Sequence, residues 1–487
     1  MGQERWSLRG TGGVKVKNIR NHRVMSVAAF SFLFAYLLSF VFEGQVLYST
    51  IDAFGAQAST FILAAIVAHF VGLFSCGFFI KTPNKAKLTM VIGMVICLIA
   101  TVPFFFAPSA LWLVGLVVAG YAGGCAVAAW GFFLKKFTPK DERIKSCADV
   151  LIFSNIIMIA INMIAVNLSH VIGLLLSMLC LIIGGALTVL LPVGDDAVTM
   201  TALETERKAS GDIKKPMLVL FLFVAVITIT SGLMYQVINP AFAHLTGLVS
   251  WYWAVPYIVA LAFMRNLTPK NKAQRSQFLY IGMGMIMTAF ITFMLLSRGA
   301  VDYLIVDTLM LGACGIFDLF WWSIIGETLD YSENPSKIFG IGLSANVLGV
   351  LCGDVLGVVI TSIRLPEAEV AVIALTVVCV TLVILPPLNR QLTLLLKNHA
   401  YLSAYADMSE KQQSSVICQL KLIDPLTERE NEVLTLILDG KTNKEIAATM
   451  CVGESTVKYH VGNILSKYGV SSRAELISTL LKAQIKE

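Results

Sequence analysis

Charge is what this sequence has least of. Only 14% of its 487 residues are Asp, Glu, Lys or Arg, where soluble domains carry about a quarter. With 57% hydrophobic residues and a mean hydropathy of +0.77, that shortage excludes an ordinary soluble protein and leaves a polytopic membrane protein. Paired cysteines are missing too. The ten cysteines stand singly, with no CxxC pair and no metal-ligand spacing, which argues against a disulfide framework or a zinc site. Eight of the ten lie in apolar runs and read as small packing residues. No catalytic constellation is present, so the chain is not expected to be an enzyme, and neither a cofactor nor a metal is expected. The basic start, residues 1–23, leads into a full-length apolar span, so no cleaved signal peptide is expected.

Apolar runs of about 20 residues, the length of a membrane-crossing helix, occur twelve times: 24–42, 59–80, 88–107, 109–134, 148–168, 171–192, 216–236, 247–264, 277–297, 301–326, 336–363 and 368–388. Lys and Arg fall on one side of them. Taking the N-terminus as inside, the inner segments hold Arg5 to Arg23, Lys81 to Lys87, Lys135 to Lys145, Arg207 to Lys215, Arg265 to Arg275, and Lys337; the outer segments hold Arg298 and Arg364. The positive-inside rule then sets both termini in the cytoplasm.

Six spans, a hydrophilic loop and six more spans resemble the major facilitator superfamily, which is built from two six-helix halves. Weak internal similarity supports this: Lys81–Lys87 resembles Leu267–Lys272, and Arg143–Asn155 resembles Pro335–Asn346. The superfamily's Gly-x-x-x-Asp-Arg loop after the second helix is absent; Gly77, Lys81 and Lys85 stand near its place without the Asp, which argues against the gating contact and against transport. The expected organisation is a basic cytoplasmic N-terminus (1–23), a first six-span half (24–192), a cytoplasmic central loop (193–215), a second half (216–388), a cytoplasmic linker (389–424) and a C-terminal domain (425–487). The fold class is all-α throughout.

Ionisable groups in hydrocarbon are costly and mark sites. His69, Asp307, Asp318 and Asp354 are the candidates for ligand sensing. Asp307 and Asp318 are eleven residues apart, about 20° around a helix of 3.6 residues per turn, so they share a face. His69 reads first as a satisfied interior histidine and Asp354 as a buried hydrogen-bonding group, with the ligand role as the alternative for each. The Gly349, Gly353, Gly357 ladder beside Asp354 reads as close helix packing. Trp321–Trp322 and Trp251–Tyr252–Trp253 read first as interface anchors, with pocket lining as the alternative.

The C-terminal stretch differs in kind. Thr427 with Glu430 forms a capping box before an apolar stripe that Asp439–Gly440 stops. A second helix starts near Asn443. A third, opened by Ser455 or Thr456, carries Val457, Val461, Ile464 and Tyr468 at helical spacing, and a fourth follows Ser471–Ser472 with Ala474, Ile477, Leu480 and Leu481 on one side. Short helices about a Gly-containing turn are the helix-turn-helix arrangement. The residues Leu426–Thr427, Arg429–Glu430, Glu432–Val433–Leu434, Gly440–Ala447, Thr456–Val457–Lys458, His460 and Asn463–Ile464 resemble the DNA-binding domain of the LuxR/FixJ/NarL family of bacterial transcription regulators in order and spacing. Glu430, Leu434 and Gly440 match the family's signature positions.

The resemblance implies base contacts from Lys458, Tyr459 and Gly462, the last without a side chain to offer, and phosphate contacts from Asn443, Lys444 and Thr456. Residues 425–487 hold eight basic and eight acidic side chains, so one copy is expected to bind DNA weakly. A homodimer on DNA is therefore expected, with helix four as its contact. The whole reads as a membrane-embedded one-component transcriptional regulator: the transmembrane bundle senses a small molecule or membrane state, and the C-terminal domain binds promoter DNA. Its expected partners are that DNA, an unknown small-molecule ligand, the lipid bilayer and RNA polymerase, and its expected place is the bacterial cytoplasmic membrane. The alternative is a major-facilitator-like transporter that doubles as a regulator.

Overall fold

The computed structural model describes residues 8–42, 44–55, 59–193, 214–266, 272–329, 334–363, 369, 372–388, 426–470 and 473–482. The expected linker 389–424, nearly all of the central loop, Ser471–Ser472 and the side chains of Ala474 and Leu481 lie outside them. All regular structure among the described residues is helical, and they fall into two compact units.

In the first unit, α1 (Leu8–Tyr36) runs into a π-helical turn at Leu37–Val41, and then come α2 (Gln45–Ala53), α3 (Ser59–Phe79), α4 (Pro83–Thr101), α5 (Ala110–Phe137), α6 (Arg143–Asn167) and α7 (His170–Leu190). The second set is α8 (Lys214–Ile227), α9 (Ile229–Leu233), a π-helical turn at Met234–Ile238, α10 (Asn239–Ala241), α11 (Thr246–Tyr252), α12 (Val255–Asn266), α13 (Lys272–Leu295), α14 (Ala300–Thr328), α15 (Pro335–Ser362) and α16 (Val372–Leu388). Among the described residues ten helical segments are long and apolar enough to cross a membrane, and two shorter apolar helices, Leu63–Phe79 and Val372–Leu388, stand at the other two expected spans.

Local sequence sets where several of these helices start. Thr82 caps α4 by accepting from the Lys85 amide, with Pro83 in the first turn, and Asn334 does the same for α15 with Pro335 behind it. Both devices satisfy amides that a helix start leaves bare. The eighth expected span, 247–264, is two helices instead of one. Pro256 has no amide to donate and disfavours helical geometry in the residue before it; the chain turns at Trp253–Ala254 and α12 restarts with Pro256 in its first turn. The helices expose apolar residues such as Ile99, Leu175 and Ile182 on their outer faces, as a bundle facing lipid requires.

Glycines let the helices of this unit approach closely. A Cβ on Gly349, Gly353 or Gly357 would lie 2.0, 2.2 and 2.4 Å from Thr228, Ile229 and Gln236, so the ladder is the seat of α8, α9 and the π-helical turn. Contacts also join the two six-helix sets. Asp149 on α6 accepts from Arg265 Nε of α12 at 2.5 Å and lies 3.5 Å from Arg23 of α1. Arg143 donates to the Gly326 carbonyl at 3.0 Å, and Asn334 to the Gly77 carbonyl at 2.6 Å.

The second unit, which also takes in the first turns of α8 up to Leu220 and the end of α16 from Ile384, holds α17 (Glu428–Leu438), α18 (Asn443–Met450), α19 (Glu454–Lys467) and α20 (Arg473–Lys482). Its core is Leu434, Ile437, Ile446, Val457, Ile464, Leu476, Ile477 and Leu480, all nearly or wholly buried. Fully burying a Leu or Ile stabilises by about 1.5–3 kcal/mol. Ile477 and Leu480 therefore hold α20 onto its own domain, while the side chains of Ala474 and Leu481, the other two residues expected on the dimer contact, lie outside the described residues.

Candidate functional site

The C-terminal helices are held by capping. At α17 the Thr427 hydroxyl accepts from the Glu430 amide at 3.3 Å and the Glu430 carboxylate accepts from the Thr427 amide at 2.8 Å. The same box recurs at α18 with Thr442 and Glu445, a Thr-x-x-Glu signal as legible as the first. Gly440 ends α17 at φ +81° with its amide on Ile437 O, a left-handed conformation that any side chain would strain. Between α18 and α19, Cys451 takes φ +54° and Gly453 caps α19. The third helix thus starts at Glu454, ahead of Ser455 and Thr456, and Tyr468 sits at its C-cap instead of within it.

Glu430 is buried and accepts from Lys467 Nζ at 2.7 Å. Burial alone would raise its carboxyl, but the bonds from Lys467 and Thr427 outweigh it and hold the pKa below the ordinary glutamate value. The signature glutamate is thus a tie between α17 and the end of α19. Arg473 opens α20 by donating to the carbonyls of Ile437, at 3.1 Å, and Lys441. Desolvation lowers its guanidinium to about 10, with Glu445 acting against that. The basic count of the domain gave no sign of this inward role.

On α19, Val457 and Ile464 face the core while Ser455, Thr456, Lys458, Tyr459, Gly462 and Ser466 are exposed. Tyr459 is 67% exposed, unusual for a tyrosine with no partner surface. Nothing lies within 4 Å of a Cβ built on Gly462. Lys458 Nζ is 3.0 Å from Glu454 Oε1, one turn back. Lys444 is exposed and Asn443 half-buried at the start of α18. The six residues thus lie on α18 and α19, the helix pair joined by the tight turn, with Lys458, Tyr459 and Gly462 on the outer face of α19. This is the surface that a major groove admits.

The membrane unit holds a cavity of about 250 Å³ lined from both six-helix sets. Of the four ionisable candidates, His69 and Asp318 line it, while Asp307 and Asp354 do not. His69 is buried, donates from Nδ1 to the Gly120 carbonyl at 3.1 Å and meets the Phe42 ring edge-on at 4.4 Å. Asp318 accepts from the Tyr257 hydroxyl at 2.7 Å and from the Trp321 indole at 3.0 Å. Asp307 lies on the same face of α14, one turn beyond the lining residue Leu311, buried beside Tyr303. Asp354 is buried with Gln236 3.5 Å away. Trp321 and Trp322 are interior and line the cavity, which corrects their reading as interface anchors; the side of α14 they occupy is the helix's bundle face.

Residues 424–480 match the family of bacterial regulatory proteins called the luxR family. Over 57 residues, 12% of this chain, the sequence is 42% identical to the spore germination protein GerE of Bacillus subtilis (strain 168), of which the match covers 77%. It is 53% identical over 57 residues to an uncharacterized response regulatory protein, YgeK, of Escherichia coli (strain K12), covering 39% of that protein. With the uncharacterized transcriptional regulatory protein YhcZ of Bacillus subtilis (strain 168) it shares 54% identity over 50 residues, 10% of this chain and 23% of YhcZ. The chain thus spans well under half of YgeK and of YhcZ. The crystal structure of the human organic anion transporter MFSD10 (TETRAN) overlays 76% of this chain and 99% of its own with a TM-score of 0.55 at 12% identity, which shows the major-facilitator fold of the membrane unit.

Proposed function

Because the chain belongs, through residues 424–480, to the luxR family of bacterial regulatory proteins, we propose that it is a membrane-embedded one-component transcriptional regulator. The bundle senses a small molecule or membrane state, and α18 and α19 bind promoter DNA. The observation that carries this reading is the joining, in one chain, of a luxR-type domain to a major-facilitator-like bundle with an internal cavity.

Lys458 donates to a base edge, Tyr459 lies against a thymine methyl, and Asn443, Lys444 and Thr456 hold phosphates. With the domain formally neutral, two copies are needed to hold a site, so the DNA-bound form is a homodimer contacting RNA polymerase. The charge bias supports a bacterial cytoplasmic membrane setting with both termini inside. A ligand acts here only by binding one conformation of the bundle better; a 100-fold preference supplies about 2.7 kcal/mol. The test is a promoter reporter in cells carrying the full chain or Lys458→Ala. The reading expects output to be lost in the variant, and equal output from both would refute it.

The second reading, a transporter that also regulates, is favoured by the cavity lined from both halves. Substrate accumulation in vesicles that Asp318→Asn abolishes would support it.

A further inference from the structure

The cavity has a one-sided charge. Asp318 is its acid, and among the described residues no Lys or Arg lines it. Both Asp318 oxygens accept, from Tyr257 and Trp321, which suits the acceptor-only inventory of an ionised carboxylate and still leaves lone pairs open. Its side chain is only half-buried, on the cavity face of α14. The cavity is also lined by aromatic rings from several helices, Phe34, Trp253, Tyr257, Phe317, Trp321 and Trp322, of which Tyr257 and Trp321 touch Asp318. Ring faces attract cations, most strongly when water is excluded, and an anion brought beside Asp318 would meet like charge without compensation.

Resting on the sensing role given to this cavity above, we propose that it takes a small organic cation with an apolar or aromatic body, Asp318 being the counter-ion. At about 250 Å³ the cavity lies near the lower end of small-molecule pockets, about 300–1,000 Å³, so it takes a small ligand. A primary ammonium beside Asp318 has donors for the open lone pairs, while its body lies against the rings. The charge preference is thus opposite to that in the name of MFSD10, whose likeness concerns the fold alone.

The test uses the full-length protein in detergent micelles and reads tryptophan fluorescence, since Trp253, Trp321 and Trp322 line the cavity. Three size-matched probes differ in charge: 2-phenylethylammonium, 2-phenylethanol and phenylacetate. The ammonium should bind saturably and about tenfold or more tighter than the other two, a gap of the size expected for a desolvated cation among rings. Asp318→Asn should remove the preference, while Asp354→Asn, outside the cavity lining, should keep it. Equal binding of phenylacetate, an unchanged preference in Asp318→Asn, or no saturable binding of any probe would overturn the proposal. The comparison of probes on the unaltered chain decides the matter even if Asp318→Asn does not fold. Cation binding without any change in promoter output would uphold the cation site and refute the sensing role instead.

Discussion

Lys458 and Glu454 face each other across one turn of α19, Nζ to Oε1 at 3.0 Å, both well exposed. The lysine assigned to base contact therefore carries its own counter-charge on the same helix. Exposed pairs of this kind are worth about 0.2–1 kcal/mol, so DNA can displace the glutamate at small cost. Glu454→Gln should tighten promoter binding several-fold and steepen its salt dependence. Lys458→Ala should weaken promoter binding by about 1–3 kcal/mol and relax sequence preference at the base pair it contacts, with little change in the salt slope, which a phosphate contact such as Lys444 would lower by about one. Titrations of a labelled promoter at two or more salt concentrations check both.

Glu430 supplies a pH dependence. Its pKa is lower in the folded domain than the ordinary value of about 4.3, so the unfolded chain binds protons first as pH falls. Its stabilisation is complete above the unfolded value and is lost as pH drops through the folded one. Glu430→Gln should cost about 1–3 kcal/mol at neutral pH and flatten the acid limb of the melting curve. Melting curves of the full-length protein across a pH series, followed in its C-terminal domain, check both.

Gly440 at φ +81° makes a sharper local test. Gly440→Ala should lower domain stability by about 1–2 kcal/mol, with less effect from the same change at Gly462, which has helical geometry and open space.

Asp149 ties α6 to α12 through Arg265 and lies near Arg23 of α1. Breaking this tie should expose Cys147, wholly buried two residues away. In a chain with its other cysteines replaced by alanine, Asp149→Asn should speed maleimide labelling of Cys147 several-fold, and an unchanged rate would remove the tie from the account.

Much of this architecture is legible in sequence because its signals are local. Apolar length sets the spans, Thr-x-x-Glu sets the start of α17, and Gly440 sets its stop. The break before α12 escapes a hydropathy reading because Pro256 leaves the apolar run intact while removing one backbone donor. The inward Arg473 and the lining role of Trp321 and Trp322 escape it because each depends on what distant helices place opposite them. The same holds for the ionisable residues: eleven-residue spacing puts Asp307 and Asp318 on one face, yet only tertiary packing sets Asp318 in the cavity and Asp307 a turn beyond it.

The central claim is that this membrane protein itself binds promoters. The direct measurement is chromatin immunoprecipitation and sequencing of the full-length chain, recovered from the membrane fraction, beside Lys458→Ala expressed to the same level. The account expects discrete promoter peaks that the variant loses. Absence of peaks from the intact chain, or peaks that survive Lys458→Ala unchanged, would contradict it.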